Sequence, residues 1–193
     1  NAGADQNGLS TCGLTQVTLA ANTQTVGTGT WTVVSGTGGS FTNANDPATT
    51  FIGTAGSSYT LRWTTSNGAI CNASTDDVSI TFNQQPSTAN AGNDQTGLST
   101  CGLTQVTLSA NTPTVGTGTW TVVSGTGGSF ANANNPTTTF SGTAGSSYTL
   151  RWTITNNPCT SSSDDVDITF NENPTTANAG ADQTGASTCG LTQ

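Results

Sequence analysis

The chain repeats itself, and this repetition constrains its fold more than any other feature. The segment from Asn1 to Gln16 recurs with few substitutions from Asn90 to Gln105 and again from Asn178 to Gln193, at spacings of 89 and 88 residues. Over the first 65 positions, the first two copies are identical at 56. A unit of this length fits a small β-sandwich and is too long for one rung of a solenoid. The expected divisions of the chain are residues 1–89, 90–177 and 178–193, the last being the first part of a third unit.

Short stretches of alternating apolar and polar residues indicate the secondary structure of each unit. Thr, Val, Ile and aromatic residues dominate these stretches, and no segment has helical periodicity. Alternation with period two is typical of half-buried strands, and Asn67-Gly68 is a strong signal for a hairpin turn. The predicted strands of the first unit are residues 17–19, 29–34, 40–41, 49–52, 59–64 and 78–82. The pattern predicts an all-β chain of tandem Greek-key β-sandwiches arranged head to tail.

Twelve aromatic residues divide equally between the two complete units and supply a candidate core for each. In the first unit they are Trp31, Phe41, Phe51, Tyr59, Trp63 and Phe82, and in the second Trp120, Phe130, Phe140, Tyr148, Trp152 and Phe170. The apolar residues expected beside the first set are Val17, Leu19, Val33, Leu61, Val78 and Ile80. Burying a large side chain contributes roughly 1.5–3 kcal/mol, so about a dozen such residues suffice for one unit. Rings that fill a core cannot also form an exposed platform for sugars.

The composition excludes several classes of function. The chain has two basic residues, ten acidic ones, no histidine and a net charge of −8. Nucleic-acid binding requires a basic surface, and a transmembrane helix requires about 18 consecutive apolar residues. Histidine-based acid–base catalysis and Schiff-base chemistry on lysine are impossible here. We therefore expect no enzymatic activity, no binding of nucleic acid and no insertion into a membrane.

Four stretches of each unit resemble a known family of repeats. In the first unit they are Asn-Ala-Gly-Ala-Asp-Gln (1–6), Thr-Gly-Thr-Trp-Thr-Val-Val-Ser-Gly (28–36), Tyr-Thr-Leu-Arg-Trp-Thr (59–64) and Asp-Asp-Val-Ser-Ile-Thr-Phe (76–82). They resemble PKD-like or immunoglobulin-like repeats of large bacterial surface proteins, including gliding-motility adhesins. The Trp-Asp-Phe-Gly-Asp-Gly hallmark of standard PKD domains is replaced by Trp-Thr-Val-Val here. The resemblance implies an extracellular β-sandwich used as a spacer or adhesive stalk, without catalytic residues.

Five cysteines recur with the repeat and indicate disulfides in an oxidising compartment. They are Cys12, Cys71, Cys101, Cys159 and Cys189. The spacing lacks the CxxC pattern and the histidine partners of a zinc site. One pairing joins Cys12 to Cys71 and Cys101 to Cys159 within each unit, and leaves Cys189 to pair outside this chain. The other crosses the junctions, as in Cys12–Cys159, because the two cysteines of one sandwich are expected at its opposite ends.

Acidic residues recur near the expected contact between units. Asp164 and Asp165 match Asp76 and Asp77, and Asp94 matches Asp5 and Asp182. Because Ca²⁺ prefers oxygen ligands, one hypothesis is a calcium site at Asp94, Asp164 and Asp165. Adjacent strand residues point to opposite faces, however, so Asp164 and Asp165 cannot both face one ion. The other interpretation is a solvated acidic edge whose carboxylates accept hydrogen bonds from nearby backbone N–H groups.

Two functions from different classes follow from these observations. The first is a structural repeat module of an extracellular bacterial adhesin, stalk or fibre on the cell surface. Its partners are neighbouring units of one long chain and, through edge strands, neighbouring chains in a fibre. The second is a module that binds polysaccharide or another surface ligand and gains avidity from its tandem copies. The structural module is favoured because alternation places the aromatic rings inward.

Overall fold

The protein is described here by a computed structural model that covers residues 1–69 and 71–182. Each unit contains six strands and a short 3-10 helix near its start. The first unit has its 3-10 helix at Gly8–Thr11 and the strands β1 Gln16–Thr18, β2 Thr28–Ser35, β3 Ser40–Phe41, β4 Thr50–Ile52, β5 Ser58–Ser66 and β6 Ser74–Thr81. The second has its 3-10 helix at Leu98–Thr100 and the strands β7 Gln105–Thr107, β8 Thr117–Ser124, β9 Ser129–Phe130, β10 Thr139–Ser141, β11 Ser147–Asn156 and β12 Cys159–Thr169. The predicted strands of the first unit are confirmed, with ends that shift by at most four residues.

The strands of each unit form two antiparallel sheets. In the first unit the strand orders are β1-β4-β3 and β2-β5-β6, and in the second they are β7-β10-β9 and β12-β11-β8. The chain therefore passes between the two sheets after the first, second and fourth strands of each unit. This is the Greek-key connection of immunoglobulin-type sandwiches, in which the two sheets pack face to face over one core. The prediction of tandem Greek-key β-sandwiches is confirmed.

The first residues of each unit run along the edge of the second sheet. In the first unit Gln6 forms a parallel bridge with Ile80 of β6, and Cys12 forms one with Asn83 beyond the end of that strand. Near the start of β6, the backbone N–H of Ala2 donates to the carboxylate of Asp76 at 2.7 Å. This edge segment therefore runs parallel to β6, and it brings Cys12 to the end of the sandwich at which β6 finishes.

Each sandwich has its own apolar cluster, in which aromatic rings are the largest side chains. Ten of the twelve aromatic residues are buried, and only Phe41 and Phe130 are half-buried against the two clusters. The rings pack at the same distances in both units, with Trp31 and Trp63 centroids 5.1 Å apart and the equivalent pair Trp120 and Trp152 5.2 Å apart. Such tilted aromatic pairs add to the stabilisation that burial alone provides. The core prediction is confirmed for the aromatic residues.

Close packing against tryptophan explains one glycine of the repeat. A Cβ atom on Gly29 would lie 2.1 Å from Cζ2 of Trp63, and one on Gly118 would lie 2.0 Å from Cζ2 of Trp152. No real Cβ contact is that short, so the indole ring requires glycine at this position of the neighbouring strand. The two units therefore share a detailed packing arrangement as well as a topology.

The prediction that Val33 belongs to the core is wrong. Val33 is 36% exposed, and its equivalent Val122 is 37% exposed. The register of β2 against β5 shifts between Val33 and Ser35, which leaves Val34 without a paired residue. This bulge, absent from a simple alternating pattern, locally disrupts the ladder and bends the strand. Val34 at the bulge is 50% exposed, whereas Val33 still pairs with buried Leu61 on the face of Trp31 and is only partly covered there.

Candidate functional site: the junction between the two units

A disulfide joins the two units. It links Cys12 to Cys159 across 147 residues of sequence, with the two Cα atoms 5.6 Å apart. Cys12 directly follows the 3-10 helix of the first unit, and Cys159 is the first residue of β12 in the second. The bond therefore connects the end of the first sandwich at which β6 finishes to the tip of the β11–β12 hairpin.

Distances along the strand explain why the two cysteines of one unit do not meet. Cys12 lies beside Asn83, beyond the end of β6, whereas Cys71 precedes the start of that strand. The eight residues of β6 alone span ~26 Å at ~3.3 Å per residue. A disulfide requires Cα atoms within ~7 Å. Of the two pairings considered for Cys12, the structure adopts the one that crosses the junction.

The turn that carries Cys12 is held by polar contacts within the first unit. The side-chain amide of Asn83 donates to the backbone oxygen of Gly8 and to the hydroxyl oxygen of Thr11, both at 3.0 Å. Thr11 is buried, with 1% of its surface exposed. The backbone N–H of Cys12 donates to the carbonyl of Leu9 at 3.2 Å. Hydrogen bonds to Asn83 thus hold the 3-10 helix in place and position the sulfur atom of Cys12.

The segment between the units adds a second set of contacts. The backbone N–H of Ser87 donates to the carbonyl of Val115 at 3.0 Å, and its hydroxyl oxygen accepts hydrogen bonds from the N–H groups of Thr114 and Val115 at 2.9 Å. The side-chain amide of Asn156 donates to the carbonyl of Gln84 at 2.8 Å. The linker therefore lies against the β7–β8 loop and the β11–β12 hairpin of the second unit. Covalent and hydrogen bonds together define this junction.

Sequence reasoning missed these linker contacts, although a signal for them exists. Residues 86–89 read Pro-Ser-Thr-Ala, and residues 174–177 read Pro-Thr-Thr-Ala. A hydroxyl group follows the proline in both copies, at Ser87 and Thr175. Asn156 likewise has an equivalent in Asn67 of the first unit. These recurrences are recognisable once the role of the linker is known.

The remaining predicted cysteines have no disulfide partner within the described residues. Cys71 and Cys101 carry free thiols and are exposed, whereas Cys159 is buried, with 5% of its surface exposed. Cys189 lies outside the part of the chain that the structure describes. The disulfide framework for all five cysteines therefore stays a prediction beyond the single bond of the junction.

Each carboxylate of the proposed calcium site has a protein partner. Asp94 accepts a hydrogen bond from the backbone N–H of Asp167 at 2.9 Å, and Asp164 accepts one from that of Ala91 at 2.8 Å. Asp165 pairs with Arg151 on the neighbouring strand. In residues 1–69 and 71–182, no three acidic or cysteine side chains lie together as a metal site requires. These contacts match the interpretation as hydrogen-bond acceptors, and the calcium site stays a prediction.

The two arginines form equivalent exposed ion pairs. Arg151 donates two hydrogen bonds to Asp165, at 2.7 and 2.8 Å, and Arg62 does the same to Asp77. Hydrogen bonding to the guanidinium lowers the pKa of both carboxyls below the ordinary value for aspartate. All four side chains remain about two-fifths exposed, so water and salt screen these pairs. They therefore contribute little to the stability of the fold.

The surface offers no row of aromatic rings among the described residues. Trp31 and Tyr59 are each 2% exposed and Trp63 is 1% exposed. A concave patch lies in each unit over the start of its second strand, and its walls are polar or small. In the first unit the patch is lined by Gln24, Gly27, Thr28, Gly29, Thr30 and Asn45. In the second unit Asn134 takes the place of Asn45. This patch lacks the stacking surface of an aromatic sugar platform.

Comparisons with known proteins return weak structural similarities. No protein-family model and no curated protein sequence matches the chain. A PKD domain from the KIAA 1837 protein is 20% identical, covers 48% of this chain and 92% of its own, and has a TM-score of 0.38. Fibronectin(III)-like modules of CbhA from Clostridium thermocellum are 10% identical, cover 93% and 94%, and have a TM-score of 0.37. The insect immune protein hemolin is 10% identical, covers 89% and 45%, and has a TM-score of 0.46.

Proposed function

We propose that this chain is a segment of an extracellular tandem array that serves as a structural spacer or stalk on a bacterial surface. In this proposal residues 1–89 and 90–177 are two folded domains, and residues 178–193 begin a third. The chain has no catalytic role, and its partners are the neighbouring units. The resemblance to repeats of gliding-motility adhesins supports the bacterial surface as the location.

The observation that carries the proposal is the junction itself. A spacer must hold its units in line, and here a disulfide and the contacts of Ser87 and Asn156 tie the end of one sandwich to the start of the next. Disulfides persist in oxidising compartments, which supports a location outside the cytoplasm. No helix of the described residues has the length and the apolar character to cross a membrane.

The burial of the aromatic rings supports a spacer over a sugar-binding module. The four tryptophans and two tyrosines lie in the two cores, with 0 to 2% of their surface exposed. These are the residues that stack on sugar rings in many binding sites, and no solvent-facing set of them exists among the described residues. The polar, weakly charged exterior suits a chain that spans distance.

Small-angle X-ray scattering tests whether the units lie in line. The eleven residues of β12 span ~36 Å, so two units placed end to end form a rod of about 75 Å with a radius of gyration of about 23 Å. A compact globule of the same chain length would have a radius of gyration of about 16 Å. We expect the larger value, and a value near 16 Å would contradict the spacer.

Glycan-array binding tests the alternative function on the same protein. We expect no specific binding by the monomer or by a multivalent display of the chain on beads. Saturable binding that is lost on substitution of the concave patch, for example by Asn45→Ala with Asn134→Ala, would favour the polysaccharide module. A double substitution of Thr18→Ala with Thr107→Ala, on exposed strand positions away from the patch, is the matched control.

A further inference from the structure

The outer ends of the two described units carry residues equivalent to those at the junction. The end of the second unit has Leu98 and Cys101, which are equivalent to Leu9 and Cys12 at the junction. Leu98 is 92% exposed, whereas Leu9 is 66% exposed. Cys101 is exposed, whereas Cys12 is half-buried. Within the described residues, the end at which β12 finishes is therefore more exposed than the equivalent end of the first unit.

The start of the first unit shows the complementary half. Cys71 at the tip of the β5–β6 hairpin is exposed, whereas its equivalent Cys159 is buried. Val26 is 68% exposed, whereas its equivalent Val115 is half-buried beneath the linker and bonded to Ser87. The preceding end thus presents the hairpin cysteine and the loop that a linker covers at the internal junction.

From these matched differences, we infer that every junction of a longer array carries the same disulfide, and that the partners of Cys71 and Cys101 are further units of this repeat. Cys101 bonds to the hairpin cysteine of the following unit, and Cys71 bonds to the cysteine after the 3-10 helix of the preceding unit. The inference rests on the proposed function in assuming a tandem array. It adds that each unit forms one disulfide with the unit before it and one with the unit after it.

The bond forms by ordinary thiol–disulfide exchange. Two cysteine thiols lose two protons and two electrons, and an external low-molecular-weight disulfide accepts them and is reduced to two thiols. Exposed Cys71 and Cys101 are accessible for this exchange before the units dock. Docking then brings the pair together as it does Cys12 and Cys159.

The staggered pairing has a mechanical consequence. The shortest covalent path from Cys12 crosses the disulfide to Cys159 and then follows the backbone to Cys189, which forms the next disulfide. This path advances by two units and contains only the 30 residues from 159 to 189. Fully extended, that path measures about 110 Å. Without the bonds, the 177 residues from 12 to 189 would extend to about 640 Å. A fully bonded array therefore stretches about sixfold less than the same chain with reduced cysteines.

A chain with a complete third unit tests this pairing rule. The whole protein is extended at Gln193 by a second copy of residues 106–177 and is refolded with oxidised glutathione. Peptide mapping by mass spectrometry is expected to find two bonds, Cys12–Cys159 and Cys101 to the appended copy of Cys159. Cys71 and Cys189 are expected to react with iodoacetamide in the native state. The matched control, Cys101→Ser, is expected to lose only the second bond.

Two outcomes overturn the inference without affecting the spacer. Cys101 remaining reactive toward iodoacetamide, or bonding to any other cysteine, contradicts the pairing rule. Scattering on the same sample separates this failure from failure of the proposed function. A radius of gyration that increases when the third unit is added supports the extended array. A value near that of two units shows that the added unit folds back and contradicts the spacer.

Discussion

The tips of the β5–β6 and β11–β12 hairpins differ more than any other pair of equivalent regions. In the second unit β11 extends to Asn156 and β12 begins at Cys159, which leaves a two-residue turn. In the first unit β5 ends at Ser66 and β6 begins at Ser74, so seven residues separate the strands. The tip of the second unit is bonded to Cys12, whereas that of the first carries the free thiol of Cys71.

The same comparison extends from the hairpin tips into the cores. Position 65 of the first unit is Thr, half-buried, whereas the equivalent Ile154 is fully buried in the second cluster. Ala89 from the linker and Ala110 belong to that cluster as well. The junction therefore adds apolar contacts at the start of the second unit. The two units therefore differ locally at the end where the linker meets the second unit, and their sequences differ there as well, as at Thr65 and Ile154.

The largest expected difference concerns extension under force. When the protein is pulled from its two ends, the Cys12–Cys159 bond removes the 147-residue loop from the extensible path, which leaves about 45 residues or about 160 Å. Reduction or Cys12→Ser is expected to restore all 193 residues, or about 690 Å. Single-molecule force spectroscopy measures both lengths, and Cys71→Ser is the control expected to behave like the unmodified chain. Equal lengths before and after reduction would contradict the bond.

The next largest effect is on the free energy of unfolding. A bond that closes a loop of 147 residues restricts the unfolded chain, and its removal by Cys12→Ser is expected to cost up to about 5 kcal/mol. Cys71→Ser removes an exposed free thiol and is expected to change stability by less than about 0.5 kcal/mol. Urea denaturation under non-reducing conditions compares the two variants. Equal midpoints for both would show that the junction contributes nothing to stability.

A smaller effect is expected from exchanging the core residue that differs between the units. Ile154→Thr places a hydroxyl group in the apolar cluster at the start of the second unit and is expected to destabilise it by about 2 kcal/mol. The reciprocal Thr65→Ile, at a half-buried position, is expected to change stability by less than about 1 kcal/mol. Thermal denaturation of both variants measures this asymmetry. Equal shifts in melting temperature would contradict a contribution of the linker to the core of the second unit.

The smallest expected effect comes from the ion pairs, which do not differ between the units. Because the pKa of Asp77 and of Asp165 is lower in the folded state, each pair contributes fully above about pH 4 and loses its contribution as the pH falls through the folded pKa. Asp77→Asn and Asp165→Asn are each expected to lower the melting temperature slightly at pH 6 and by less at pH 2. Unequal changes in melting temperature for the two substitutions would indicate that the junction also influences the sheet face that carries the ion pairs.

Much of each sandwich follows from local sequence patterns. Alternation around Trp63 and Ile80 correctly predicts the two long strands, because side chains of a strand point to opposite faces in turn. The exposure of Val33 was not predicted, because alternation gives the face on which a side chain lies and not how completely that face is covered. No turn residue marks the bulge at Val34 either. Local patterns therefore predict regular strands well and irregular pairing poorly.

The junction was harder to predict than the fold. The cysteine positions are compatible with pairing inside a unit or between units, since both alternatives use the same residue spacing. The linker contacts of Ser87 depend on where the loop at Val115 lies, which no local pattern encodes. The edge segment that runs along β6 resolves the first question, because it delivers Cys12 to the end facing the next unit.

The sequence alone determined the length of the unit, the all-β class and the inward direction of the large rings, because repetition and alternation are local properties that need no partner. Tertiary structure decided which cysteines meet and which equivalent residues are covered. Those outcomes depend on the end of the sandwich at which each cysteine lies. The two cysteines of one unit are about one strand length apart, whereas Cys12 and Cys159 lie at facing ends of the two units.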